Sequence, residues 1–190
     1  PDVVLLGEMR DAETMATAAT VSYPEITSII HQLPRYEDYA STREAAEAER
    51  EYRFALGRML QECGDQLLAV VERQPQLITG EQHDTIDALI DAITGIFKRL
   101  NRQGAIRLPN DRRAAIRELE EIDLRLILLL EEALTLVGKL SRDARASSWF
   151  HCEATRLSRD LVAFGAAAEE RNYLLGLGWD SEFRVRGRRG

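Results

Sequence analysis

Residues 79–100 read TGEQHDTIDALIDAITGIFKRL, from Thr79 to Leu100. Thr79 is followed three residues on by Gln82. That is a capping-box pattern, in which each side chain satisfies the other's backbone N–H at a helix start. Ile86, Leu89, Ile90, Ile93, Ile96, Phe97 and Leu100 then recur at spacings of three and four. This spacing puts them on one face of an α-helix. Asp84, Asp87 and Asp91 fall toward the start, and Lys98 and Arg99 toward the end, the order that the helix dipole favours. Asn101 to Gly104 reads as the stop. One long amphipathic helix without strand signals around it sets the fold class, because its apolar face must be covered by similar neighbours.

The neighbours are found by working outward between the prolines, which helix interiors exclude. Prolines stand only at Pro1, Pro24, Pro34, Pro75 and Pro109. Upstream, Ser41-Thr42-Arg43-Glu44 is a second capping-box pattern. Ala45, Ala48, Tyr52, Leu56, Met59, Leu60, Cys63, Leu67 and Val70 continue from it at helical spacing, and Pro75 ends the run. Downstream of Pro109, Asn110 or Asp111 can cap a third helix. Its stripe is Ile116, Leu119, Ile122, Leu126, Ile127, Leu130, Leu134, Val137 and Leu140, and around Leu126 to Leu130 it wraps most of the circumference. A segment of that kind is central and touches several neighbours. A fourth helix runs from about Ser148 to Leu175, with Trp149, Phe150, Leu157, Leu161, Phe164, Ala168 and Leu175 on its apolar face. Short connections between four such helices predict an all-α, elongated antiparallel four-helix bundle. The predicted organisation is an N-terminal appendage over 1–40, the bundle over 41–176 and a short basic tail over 177–190. Gly57, Gly64, Gly95, Gly138 and Gly165 fall inside helices. We read them as close helix approaches or local bends, since each costs about 1 kcal/mol relative to Ala in an exposed helix.

A chain of 190 residues can bury roughly 70% of its unfolded surface and support one good core. The net charge of −7 gives no general attraction to nucleic acid or to an anionic membrane. Cys63 and Cys152 are not in a paired CxxC spacing, so neither a disulfide framework nor a zinc site is expected. A reducing, cytoplasmic setting follows. The longest apolar run, Leu126 to Leu130, falls far short of the ~20 residues that span a bilayer.

Before the bundle, Val3 to Leu6 is a short buried-strand signal, and Asp11 to Thr20 suits a helix. Residues 25–33 suit another short helix between Pro24 and Pro34. Residues 1–14 carry Pro-Asp-Val, two apolar residues after a further valine, Gly7-Glu8, and then Arg10-Asp11 and Glu13-Thr14. Residues 1–20, through this pattern, closely resemble the Walker B region of the type IV pilus retraction and type II secretion ATPases. The resemblance implies that Glu8 corresponds to the glutamate that polarises the attacking water beside the nucleotide's Mg²⁺. It covers about a tenth of the chain and then fails. Where the family has histidines in a Thr-Gly-His stretch and a Thr-Leu-His-Thr motif, this chain has Ile26 and Leu33, and His31 is out of register. No GxxxxGK[ST] occurs in the 190 residues, so nothing here cradles phosphates. Three origins fit: a remnant fused to an unrelated helical domain, an end of a longer chain with its nucleotide-binding core upstream, or an artificial join.

Other chemistry-bearing residues read more simply as structure. His83 stands beside Glu81 and Asp84 without an ExxH pair on another helix, so a solvated turn is expected rather than a metal ligand. His151, Cys152 and Glu153 are consecutive and about 100° apart on a helix, so they cannot converge, and Cys152 is expected to be a small buried residue. Trp149 and Phe150 are expected in the core. Candidate partner contacts are Trp179, Phe183, Arg184, Arg186, Arg188 and Arg189 in the tail. The expected function is that of a non-enzymatic bundle working through protein contacts or self-association, as an adaptor, scaffold or assembly subunit. No cofactor and no catalytic residue is predicted, apart from Glu8 if a nucleotide-binding core is supplied elsewhere. The alternatives are an accessory piece of a pilus or secretion ATPase system, and an RNA-contacting subunit using the arginine tail.

Overall fold

The computed structural model describes residues 42–73, 75–76, 78–102, 104–142 and 147–177. The side chains it describes begin at Ala45 in the first helix and at Phe150 in the last. The Walker B-like segment, the Ser41 cap and residues 178–190 lie outside the described residues. Among the described residues there are four helices: α1 (Thr42–Arg73), α2 (Gly80–Leu100), α3 (Arg112–Arg142) and α4 (Ser147–Leu174). The all-α bundle expected from periodicity is what forms.

The local signals operate as read. Thr79 caps α2, its hydroxyl accepting from the Gln82 N–H at 3.3 Å while Gln82 Oε1 accepts from the Thr79 N–H at 2.9 Å. At α3 the cap is Asp111, whose Oδ1 accepts from the Ala114 N–H at 3.1 Å. The end of α4 is closed by Gly176, in the left-handed region at φ 70. There the Gly176 N–H donates to the Tyr173 carbonyl at 3.0 Å and the Leu177 N–H to the Asn172 carbonyl at 2.8 Å. This pair of bonds is a Schellman closure, which satisfies carbonyls the helix leaves over. Leu177 is thereby turned back into the core and is buried, so the core reaches past residue 176.

Apolar side chains from all four helices meet in one core. Leu119, Ile122, Leu126, Ile127, Leu130, Leu134, Leu136, Val137 and Leu140 of α3 are all buried, whereas Ile116 at the start of the stripe is half-buried and Leu128 in the wrapped segment is exposed. Each buried side chain contributes about 1.5–3 kcal/mol relative to exposure. Tyr52, Leu56, Met59, Leu60 and Leu67 of α1 and Phe150, Leu157, Leu161 and Phe164 of α4 complete the layers.

Consecutive helices run antiparallel. Going up α1 from Gly57 to Gly64, the facing residue on α2 goes back from Phe97 to Ile93. Going up α3, Arg125 pairs with Glu170, Glu132 with Arg156 and Lys139 with Glu153. The chain is therefore two antiparallel hairpins, α1–α2 and α3–α4. The hairpins pack with α1 against α3 and α2 against α4. These two pairs run parallel: Gly165 faces Ile96, while Asn172, farther along α4, reaches the carbonyl of Arg99, farther along α2. The expected antiparallel bundle thus holds along the chain, with parallel neighbours across the hairpins. The α2–α3 connection crosses the open end of the bundle and is pinned under α4, the Arg107 N–H donating to the Leu175 carbonyl at 2.8 Å.

Candidate functional site

The most organised polar chemistry lies inside the bundle, where the end of α4 meets the other helices. Arg171 is 1% exposed, and Glu49 and Asp123 are fully buried. Each occupies an apolar register of its helix. Glu49 lies between Ala45 and Tyr52 on α1, Asp123 between Leu119 and Leu126 on α3, and Arg171 between Ala168 and Leu175 on the α4 face. Helical spacing alone therefore drives all three inward.

Once inside, the guanidinium is bonded along two edges. Nε donates to Asp123 Oδ1 at 2.6 Å and Nη2 to Asp123 Oδ2 at 3.2 Å. Nη2 also donates to Glu49 Oε1 at 2.5 Å, and Nη1 donates to Glu49 Oε2. Both carboxylates are held bidentately, the geometry in which the planar arginine fork is strongest. The Tyr52 ring lies beneath the guanidinium, 4.9 Å from ring centroid to Cζ, which adds a cation–π contact.

One cation against two carboxylates leaves a negative excess, and Arg53 approaches from the same helix. Its Nε is 3.7 Å from Glu49 Oε2. Its Nη1 donates to the Leu100 carbonyl at 3.3 Å and to the Arg102 carbonyl. Arg53 thus ties the charged cluster to the C-terminal end of α2, where carbonyls lack helical partners.

Tyr52 holds its proton more tightly than an ordinary tyrosine. Burial pushes its hydroxyl well above the ordinary tyrosine range, and the negative charge of Asp123 adds to this. The hydroxyl makes no hydrogen bond of ordinary geometry, although Asp123 is near enough to act on it. Burial likewise raises the Cys63 thiol to about 12. A thiol so protonated is a poor nucleophile, and Cys63 acts as a small core residue.

Around the cluster, consecutive residues of α4 reach different elements. Glu169 pairs with Arg102, just beyond the end of α2, at 3.1 Å and with Arg99, in its last turn, at 3.8 Å, and Glu170 pairs with Arg125 on α3. Arg171 holds Glu49 and Asp123, and Asn172 Nδ2 donates to the Arg99 carbonyl at 3.1 Å. This stretch of α4 is a junction that binds α1, α2 and α3 at once. Its buried groups are sealed from solvent and engaged with one another, so the arrangement does the chemistry of positioning.

The residues that sequence reasoning singled out lie elsewhere. Glu8, Trp179, Phe183, Arg184, Arg186, Arg188 and Arg189 fall outside the described residues. The Trp149 side chain is also outside them, while Phe150 is buried as expected. His83 is exposed, with Nδ1 3.1 Å from Asp87 Oδ2 one turn along. Cys152 is exposed, which corrects the expectation that it is buried. The α4 face that turns inward is set by Phe150, Ala154 and Leu157, and residue 152 points about 160° from that of residue 150. Among the described residues, no group of three or more His, Cys, Asp or Glu could hold a metal ion. No helix among them is long and apolar enough to cross a membrane.

The junction was missed by that reasoning, although a signal for it exists. Glu49, Asp123 and Arg171, two acidic residues and one basic, each interrupt the apolar stripe of a different helix. No family model, curated protein or solved structure matches the chain.

Proposed function

We propose that this chain is a helical scaffold that works by contacting other protein chains. The observation that carries this reading is the placement of Phe54 and Leu128. Phe54 on α1 is 64% exposed and Leu128 on α3 is 49% exposed. Each stands five residues beyond its carboxylate in the Arg171 cluster, on neighbouring parallel helices with a rise of about 1.5 Å per residue. The two apolar side chains are therefore at the same level on adjacent rods. Large exposed apolar side chains of this kind supply anchor contacts when a partner covers them.

The internal charges support the same reading. They join α1, α3 and the end of α2 into a stiff platform, and a preorganised surface loses less entropy on binding. The test is sedimentation velocity across a concentration series, comparing the wild-type chain with Phe54→Ser/Leu128→Ser. We expect concentration-dependent association that weakens in the variant while its melting profile is retained. Saturable binding of ATP·Mg by the purified chain, read by calorimetry, would count decisively against a scaffold.

A second reading is an accessory element of a pilus or secretion ATPase system. It is supported only by the Pro-Asp-Val…Gly-Glu…Arg-Asp pattern ending at Thr14. Nucleotide binding in the same calorimetric experiment would favour it.

A further inference from the structure

Two antiparallel hairpins can pack in two ways that bury the same apolar stripes. In one, α1 faces α3 and α2 faces α4. In the other, α3 and α4 exchange places and each turns about its own axis, so that α4 faces α1 and α3 faces α2 with their stripes still inward. The stripes meet on the common axis in either case, so the apolar core alone chooses weakly between them. Non-directional burial specifies compactness better than it specifies a partner.

We propose that the Glu49–Asp123–Arg171 cluster is a packing selector, which admits the first arrangement and rejects the second. The geometry carries this. Asp123 belongs to the same hairpin as Arg171 and takes the Nε edge of its guanidinium, through Nε at 2.6 Å and Nη2 at 3.2 Å. With that edge fixed, the terminal fork points away from α3. Among the contacts described, it is held bidentately by Glu49, which sits on α1, the helix diagonal to α4. Exchanging α3 and α4 would bring α1 to the flank of α4, away from the line of the fork. Glu49 would remain buried beside a guanidinium whose free edge points elsewhere. Misplacing a buried charge in this way is far more costly than losing a surface pair.

The Arg53 link extends the selection to α2, because it ties Glu49 to the carbonyls of Leu100 and Arg102. The half-exposed pairs Glu169–Arg102 and Glu170–Arg125 agree with the same arrangement and add little to the choice. Buried ion clusters are often no more stabilising than apolar side chains of similar size. Specificity is the return that such a cluster can give, and here there is a concrete competitor for it to exclude.

Pulsed electron-spin distance measurements on the full chain test this directly. Thr94 on α2, Asp65 on α1 and Ala166 on α4 are all exposed and lie within about two helical turns of one another along the bundle, since Gly64 faces Ile93 and Gly165 faces Ile96. Nitroxides at 94 and 166 report an edge of the bundle, and nitroxides at 65 and 166 report its diagonal. Cys152→Ser removes the exposed native thiol. In the wild-type background each pair should give one distance, the 94–166 pair the shorter. In Glu49→Leu/Asp123→Leu/Arg171→Met, each pair should give both distances, with helix content retained. A single, wild-type distance in that variant overturns the proposal. If the triple variant does not fold, Glu49→Gln decides, because it keeps the Asp123 contact and weakens the diagonal one. A second distance population is then expected, and its absence overturns the proposal equally.

Discussion

Arg171 crosses the bundle to Glu49, Nη2 to Oε1 at 2.5 Å, joining residues 122 positions apart in sequence. The arginine is the sole bidentate partner of two buried carboxylates among the contacts described. Arg171→Met leaves Glu49 and Asp123 buried with their strongest partner gone. We expect a loss of about 3–5 kcal/mol, the usual consequence of breaking a buried pair from one side. Arg171→Lys should also be costly, because a compact ammonium cannot serve two bidentate carboxylates. Urea unfolding followed by far-ultraviolet circular dichroism measures both. A loss under about 1 kcal/mol for Arg171→Met would mean that the carboxylates find other partners.

Gly57 and Gly95 should respond in opposite directions to the same substitution. A Cβ on Gly57 would lie 2.9 Å from two ring carbons of Phe97, closer than carbon atoms pack. Gly95 has no atom within 4 Å of the corresponding position. Gly95→Ala should stabilise by about 0.5–1 kcal/mol through helix propensity alone. Gly57→Ala should destabilise, and the loss should reverse in a Phe97→Leu background. A double-mutant cycle reads that coupling, and additivity within about 0.3 kcal/mol would show that the ring is not the obstacle.

Alkaline pH should destabilise the bundle from within. Tyr52 and Cys63 both have proton affinities raised in the folded state, Cys63 from 9.0 to about 12. Both are neutral when protonated, so the unfolded chain releases these protons first. Above about pH 9 the unfolded state binds fewer protons than the folded one, and stability falls as pH rises. The contribution is fully present below the unfolded-state values and is lost through the folded-state ones. Each group adds a slope of up to about 1.4 kcal/mol per pH unit in that window. Denaturant titrations from pH 8 to 11 should show the decline, and Cys63→Ala should flatten its first part. An unchanged slope in Cys63→Ala would exclude the thiol as a cause.

Gly176 meets two separate requirements. Its φ of 70 is left-handed, and a Cβ there would lie 3.0 Å from the Arg107 carbonyl oxygen. Gly176→Ala should cost at least about 1–2 kcal/mol from the backbone conformation alone. The close contact should also weaken the Arg107–Leu175 bond that pins the crossover. Hydrogen exchange should register faster exchange at the Arg107 amide in the variant. Exchange as slow as in the wild type would separate the crossover from the cap.

The helices and their starts were legible in the sequence because they are local. Thr79 and Gln82 need only each other, and the stripe from Ile86 to Leu100 needs only the helical period. The positions of Glu49, Asp123 and Arg171 inside their stripes were equally available. Their meeting was not, because periodicity gives the face of a helix and says nothing about which helix covers it. The stacking of α1 on α3 is hidden from the sequence for the same reason. Cys152 was misread on residue type, although the register from Phe150 to Leu157 points it outward. The tail residues from Trp179 to Arg189 drew attention as aromatics and cations, and they lie outside the described residues. The junction on α4 uses charges that look misplaced in apolar runs.

The long reach of the α4 junction also has a kinetic side. Hairpins α1–α2 and α3–α4 close through contacts near in sequence and can form quickly. The Arg171 bonds close loops of 48 residues to Asp123 and 122 residues to Glu49, so the second waits for the whole interval to be synthesised. On a ribosome, the first hairpin would spend that interval with its apolar stripe uncovered and Glu49 without Arg171. We expect Arg171→Met to accelerate unfolding and leave the folding rate nearly unchanged, the pattern of a contact made after the rate-limiting step. Stopped-flow rates for the wild type and the variant would show it, and a slowed folding limb would place the arginine in the nucleus instead.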